Sequence, residues 1–367
     1  MRRTPVLIVG GGPAGAAAAI PLARAGLEPE ILERSGPSDS KVCGAFLSGD
    51  TLGMLDRLAI DVKALGARPI QELRLVSGSQ QATIGLPFAA AALSRRALDS
   101  ALLEAAAASG ARICRGASAS MAYPSNRVVR TRDDQLIQCE ALFIATGKHD
   151  LRGSARAGVR AYSPSVGFRA ELPPDASRDT ALCDLIELHL FDEGYAGLLL
   201  QEDGSCNLCL SVSAPRLTRA GTVGTLFSSI LAETPLLADR MGREHPVQWQ
   251  AIAGVPYGWS ANATEPGVFR IGDQSGVIAS LAGDGLGLAL ASGSSAANAL
   301  LSGGTAAAPA WQRQFRKSIR PPLALGELLR AAAGRSLPRR AMVTLAGLFP
   351  RIGSFAAAST RVIPLRP

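Results

Sequence analysis

Only three histidines occur in this 367-residue chain, and Phe, Trp and Tyr together make up 5% of it. Cysteine is hardly richer: the six stand at positions 43, 114, 139, 183, 206 and 209, with no spacing that suggests a disulfide framework. A reducing, cytoplasmic setting fits that usage. Cys206-Asn-Leu-Cys209 has the C-x-x-C spacing, but no second pair accompanies it and few histidines are available to complete a zinc site, so no metal is expected. The pair lies in the alternating run Ser205 to Val212, where a step of three places the side chains on opposite faces of a strand.

Long apolar runs are missing as well. The nearest approach, Gly285 to Leu301, is interrupted by serines, an asparagine and glycines, and reads as no membrane span. There are no internal repeats and no low-complexity linkers. Acidic residues are scarce in one place only. From Arg313 to Arg366 there are eleven Arg or Lys and a single acid, Glu327, so the formal charge of +8 belongs to the tail and the rest of the chain is close to neutral. That distribution argues against a nucleic-acid footprint. Met342, Leu345, Phe349 and Ile352 recur at steps of three and four within the tail, which predicts a basic amphipathic helical segment. Its partner is either the core it caps or an anionic membrane surface.

The opening of the chain carries the strongest signal. An apolar strand, Val6 to Val9, runs into Gly10-Gly11-Gly12-Pro13-Ala14-Gly15, a small-residue helix follows, and Ile31-Leu32-Glu33-Arg34 ends the next strand. An acid about 20 residues beyond a G-x-G-x-x-G turn is the dinucleotide fingerprint. Gly10 permits the tight turn, Gly12 the approach of a pyrophosphate and Gly15 the close packing of helix on sheet, while Glu33 accepts hydrogen bonds from a ribose diol. A secretory leader, the other reading of a basic start with an apolar run, is poorly served by three glycines and a proline in its centre. Pro21 inside the helix removes one backbone bond.

Further along, Leu93-Ser94-Arg95-Arg96 opens a helix that Gly110 stops. A meander ends at Ala145-Thr146-Gly147. Residues 155–255 change to strand alternation, interrupted by a helical stretch from Thr222 to Ala238. The chain then returns to nucleotide-site character at Ile271-Gly272-Asp273 and at Gly283-Asp284-Gly285-Leu286-Gly287. NAD has no need of this second glycine-rich region. A flavin has: Asp273 faces its ribityl or phosphate region, and backbone N–H groups at a helix start face the pyrimidine edge of the ring.

Taken together, Gly10 to Gly15, Glu33-Arg34, Arg95 with Asp99, Ala145 to Gly147 and Gly272-Asp273 resemble the FAD-dependent superfamily of aromatic hydroxylases and geranylgeranyl reductases. Lys41-Val42-Cys43-Gly44 is similar to the Cys-Gly loop of the reductases, and Phe191 to Tyr195 to the start of their substrate-domain signature. The resemblance implies an α/β fold with a Rossmann-like, glutathione-reductase-type FAD domain, an inserted β-rich substrate domain and a C-terminal helical tail. The expected boundaries are 1–72, 96–154 and 256–310 for the FAD domain, 73–95 and 155–255 for the β-rich domain, and 311–367 for the basic tail.

The resemblance also implies that Gly10, Gly12, Pro13, Ala14, Gly15, Glu33, Arg34, Cys43, Gly44, Arg95, Ala145, Gly147, Gly272, Asp273, Gly283, Gly285, Leu286 and Gly287 hold FAD. Cys43, His189 and Tyr195 are the catalytic candidates, with Tyr257 as a further proton donor or pocket residue. NAD(P)H is the expected electron donor and a lipophilic prenyl or polyketide-like molecule the expected substrate. The expected chemistry is reductase-type hydride transfer. Monooxygenation of an aromatic substrate and a membrane-docked electron carrier are the alternatives. Two departures bear on the first alternative: the hydroxylases carry Asp-Gly where this chain has Thr146-Gly147, and proline where it has Ser280.

Overall fold

A strand that is apolar at every position has no face to offer solvent, so Val6 to Val9 calls for cover on both sides. The computed structural model describes residues 1–36, 41–159, 162, 165–242, 246 and 248–362. In it Arg2–Val9 is the central strand of a parallel array, paired with Pro29–Glu33 on one side and Leu136–Ile144 on the other. Arg112–Arg115 extends the array beyond Pro29–Glu33, and Val268–Arg270 joins Leu136–Ile144 from far along the chain. The hairpin Ala119–Tyr123 and Val128–Thr131 is antiparallel to the first residues of Leu136–Ile144. Five parallel strands thus present their carboxyl ends at one edge, the edge at which α/β sheets bind ligands.

One face of this sheet, with Val6, Ile8, Ile31 and Phe143, is covered by the helices Pro13–Arg24, Arg95–Ala108 and Gly285–Gly303, while Leu7, Val9 and Leu142 pack beneath the hairpin. The first and the 285–303 helices lie in close contact because Gly293 has no side chain; a Cβ there would strike the Ala14 carbonyl. Pro21 leaves the Ala17 carbonyl without its helical partner, and the Ser294 hydroxyl across this contact donates to it at 3.4 Å.

The second sheet has the order Gln250–Val255, Ser165–Leu172, Cys206–Ser213, Gly194–Leu200, Leu185–Phe191, Arg68–Ser77, Gln80–Ala92 and Phe46–Leu47. The α/β class with a Rossmann-like sheet, a β-rich module and a helical tail is therefore as expected. The strand Arg68–Ser77 straddles the boundary expected at residue 73, because it pairs antiparallel with Gln80–Ala92 over its whole length, with one register shift between Ile70 and Glu72. The expected helix Thr222 to Ala238 is two helices, Val223–Glu233 and Pro235–Met241. Thr222 caps the first, and Pro235, which lacks an N–H, starts the second. These helices cover one face of the sheet through Leu226, Phe227, Ile230 and Leu237. The opposite face looks toward the first domain.

The tail is helical throughout its described part: Ala308–Ala333, Ser336–Leu348 and Pro350–Ser359. The last two meet at a bend of 112°, and among the described residues no single helix is long and apolar enough to cross a membrane. Residues 363–367, which include Arg366 of the expected basic tail, lie outside the described residues. Val343 and Ala346 are the side chains that this pair buries. The stripe expected from Met342, Leu345, Phe349 and Ile352 faces the other way: Met342 is half-buried and the other three are exposed.

Candidate functional site

The carboxyl-end edge of the parallel sheet is built from close backbone approaches. Gly10 has φ +110°, and a Cβ there would meet the Ala145 carbonyl; at Gly15 it would meet the carbonyl of Gly10. Gly12 ends the turn without a side-chain cap, Pro13 takes the first helical position, and the N–H groups behind it point out of the helix end. Beside this cradle the Arg95 guanidinium makes two hydrogen bonds of 2.8 Å to Asp99. Burial opposes its charge, and Asp99 with the neighbouring Cys43 side chain restores it. Glu33 accepts from the Gly11 N–H at 2.6 Å and from the Ser35 N–H at 2.7 Å, so the acid that ends the second strand also ties down the glycine turn. Arg34 is exposed.

On the other side of the edge, Gly147 and Gly272 have φ of +62° and +61°. The Gly272 N–H donates to Ser292 at 2.7 Å, and the Asp273 carboxylate is held 3.3 Å from Lys148 Nζ. Lys148, whose pKa is raised chiefly by Asp273, was not foreseen; a cation directly after a strand-end glycine was the available signal.

The glycine loop before the 285–303 helix surrounds a buried acid. Asp284 accepts from Ser48 at 2.9 Å and from the Val362 N–H, and lies 3.4 Å from the Arg361 guanidinium. Burial pushes its carboxyl up to about 6 against the pull of Arg361. Arg361 also donates to the Ala282 and Gly283 carbonyls, so the end of the described chain fastens the loop. Gly285 stands open, with no atom within 4 Å of where a Cβ would be, whereas Leu286 and Gly287 are buried. Nothing in the tail sequence pointed to this use of Arg361.

Cys43 is half-buried, followed by the exposed Gly44 and by Ala45, an alanine held at φ +60°. The Cys43 carbonyl accepts from Asn207 Nδ2 at 3.0 Å and from the Cys209 thiol at 2.8 Å, which fixes the loop on the second sheet. Cys206 points instead into the core under the covering helices, as the step of three requires. Burial pushes both thiols up to about 12.

Tyr195 is on the same side of the sheet as Cys209. Its buried hydroxyl lies beside Ser211 and Ser280 yet has no hydrogen-bond partner among the described residues, and burial raises its pKa well above the ordinary range. Tyr257 bonds Ser280 at 2.6 Å. Around Tyr195 the wall is apolar: Leu75, Leu188, Leu190, Leu281 and Met342.

His189 does not join this group. Alternation along Leu185–Phe191 sends it to the opposite face, where Nε2 meets Glu187 at 2.8 Å in a buried cluster with Arg74 and Arg240. Burial works to raise the Glu187 carboxyl, and His189 and Arg240 overcome it and hold it down at about 2. His189 is thus a structural residue, and the expectation of a place in the substrate cavity is corrected.

The fit to a flavin dinucleotide rests on three local features: a glycine-made cradle at a helix N-terminus, the Glu33 carboxylate that ties down its glycine turn, and the open Gly285 at the start of a second helix. Gly10 to Gly15, Glu33 and Arg95 would hold the adenosine and pyrophosphate, Asp273 the ribityl chain, and Gly283 to Gly287 the ring.

Residues 3–145 match the FAD binding domain family. The chain is an FAD-dependent oxidoreductase. Its sequence is similar to two flavin-type reductases, and its fold to solved flavoproteins. It is 26% identical over 311 residues to a menaquinone reductase of Mycobacterium tuberculosis, covering 80% of this chain and 76% of that one. It is 24% identical over 326 residues to a chloroplastic geranylgeranyl diphosphate reductase of Arabidopsis thaliana, covering 82% and 66%. Among solved structures, a geranylgeranyl bacteriochlorophyll reductase-like protein of Thermoplasma acidophilum superposes with a TM-score of 0.79 at 18% identity, covering 98% of this chain and 96% of that one.

Proposed function

We propose that the chain is an NAD(P)H-dependent flavin reductase of a lipophilic, prenyl-bearing substrate such as an isoprenoid quinone. The observation that carries this reading is the apolar cluster on one face of the second sheet, where Leu75, Leu188, Leu190 and Met342 pack with Tyr195, whose hydroxyl is buried without a partner among the described residues. An apolar wall selects a hydrocarbon chain, and one polar atom orients its reactive head. The names of the two relatives above, a menaquinone and a geranylgeranyl reductase, support the same substrate class.

FAD supplies the hydride when bound. The chain's own residues do the rest. Burial keeps Tyr195 protonated, so its O–H can donate to a substrate oxygen or carbon that gains negative charge; Ser280, which bonds Tyr257 at 2.6 Å, lies beside that hydroxyl. The N–H groups at the start of the 285–303 helix would favour negative charge on a ring held against them. The basic tail has no part in binding nucleic acid in this account.

The experiment is an anaerobic assay of the FAD-loaded protein with NADH or NADPH and a menaquinone. Quinol formed in step with nicotinamide oxidation supports the proposal. Oxygen from O2 appearing in an aerobic product would instead establish the monooxygenase, and reduction of the bound FAD with no turnover of quinone or prenyl double bond would leave the electron carrier.

A further inference from the structure

The helix pair at the end of the tail carries its amphipathic character inside out. A surface helix ordinarily turns its large apolar residues to the core. Here the pair rests on the strand Gln80–Ala92 through small groups: Ala346, Gly353 against Ile84, and Ser354, whose hydroxyl donates to the Gly85 carbonyl at 2.9 Å. Val343 and Met342 also face inward, but most of the large residues point out. Of the ten large apolar side chains exposed among the described residues, seven lie between Leu328 and Phe355; Leu348 is 67% exposed and Phe355 74%. Leu345, Leu348, Phe349, Ile352 and Phe355 gather on either side of the 112° bend, while scattered single exposures elsewhere need no explanation.

The charge around this elbow is of one sign. Arg335, Arg340 and Arg351 are exposed, and no acid follows Glu327 in the sequence. Apolar residues flanked by arginines complement the boundary between acyl chains and anionic headgroups, and the sharp bend sets the pair to lie in that boundary.

We infer that the helices Ser336–Leu348 and Pro350–Ser359 dock the protein on an anionic lipid bilayer. The inner side of the same pair, through Met342 and Val343, belongs to the apolar wall around Tyr195. Docking would therefore set the cluster that holds Tyr195 close to the lipid, so that a membrane-dissolved substrate of the proposed reaction could approach it without crossing water. This last consequence rests on the function proposed above; the docking itself does not.

The test is co-sedimentation of the full chain with vesicles of phosphatidylcholine alone or with phosphatidylglycerol added. The wild type is expected to bind the mixed vesicles, to bind pure phosphatidylcholine weakly, and to be released by salt. The double variant Leu348→Glu, Phe355→Glu is expected to lose about tenfold in bound fraction, while Tyr123→Glu, at an exposed position on the hairpin of the other domain, loses nothing. Replacing Arg340 and Arg351 with Gln should remove the preference for phosphatidylglycerol while sparing weak binding to phosphatidylcholine. Retained FAD absorbance and retained reduction of a short-chain, water-soluble quinone show that the variants are folded. No binding by the wild type, equal binding by the double variant, or a wild-type dimer in solution that the double variant splits would each overturn the inference. Binding without reduction of any quinone would leave docking standing and retire the reductase reading.

Discussion

Arg361→Ala tests how the end of the chain controls the flavin-facing loop, and its cost can be worked out from Asp284. In the wild type the buried carboxyl titrates at about 6, above its ordinary 3.8. Its ionisation therefore weighs against the fold: stability associated with it is fully present below the unfolded value and is lost as pH rises through 6. Removing the one cation that contacts Asp284 among the described residues moves the folded value higher still. The variant's ionic penalty at pH 7 is bounded by the work of keeping Asp284 protonated, one unit above its wild-type value, or about 1.4 kcal/mol. It roughly doubles at pH 8 and nearly vanishes at pH 5, where the wild-type carboxyl is already mostly protonated. The hydrogen bonds to the Ala282 and Gly283 carbonyls add about 1 kcal/mol each at every pH. Urea denaturation of both proteins at pH 5 and pH 8 separates the two contributions. A destabilisation that is equal at the two pH values, or none at all, would refute the ionic role given to Arg361.

Three further outcomes follow from the same geometry. Gly15→Ala drives a methyl group into the Gly10 carbonyl and opens the cradle by overpacking, at a cost of about 1–3 kcal/mol; FAD affinity, read by quenching of flavin fluorescence, should fall about tenfold or more, and unchanged affinity would contradict the close approach. Glu187, held near 2 from an ordinary 4.5, contributes stability that is present above pH 4.5 and lost as pH falls toward 2, up to about 3 kcal/mol; acid unfolding of Glu187→Gln should lack that portion of the transition. Tyr195→Phe removes a buried hydroxyl without a partner, so the melting temperature should hold or rise while kcat falls; a large loss of stability would show that the hydroxyl is bonded within the fold.

The sequence made the cofactor edge readable because backbone geometry dictates residue type there. Only glycine allows the approaches at Gly10 and Gly15, and strand ends announce themselves through apolar runs. His189 misled because Leu188 and Leu190 around it are apolar on the other face, and a two-residue alternation says which residues share a side without saying which side meets the cofactor. Asp284, Lys148 and Arg361 escaped notice for a different reason. Their partners are 236, 125 and 77 residues away, and no local pattern encodes such distances. The tail's apolar period was visible, and its direction was not, since small residues in Gln80–Ala92 and at Ala346 and Gly353 decide which side of the helices can come close.

FAD held between Gly10–Gly15 and Gly272–Gly287 is expected to pass reducing equivalents to a lipophilic substrate. The most direct measurement of this transfer is the visible spectrum of the purified protein loaded with FAD, followed anaerobically through addition of NADPH and then of menaquinone. The expected result is a yellow protein that bleaches with the nicotinamide and recovers its colour as quinol forms. A protein that takes up no FAD, or one whose bleached flavin is left unchanged by menaquinone and by prenyl substrates, would contradict it.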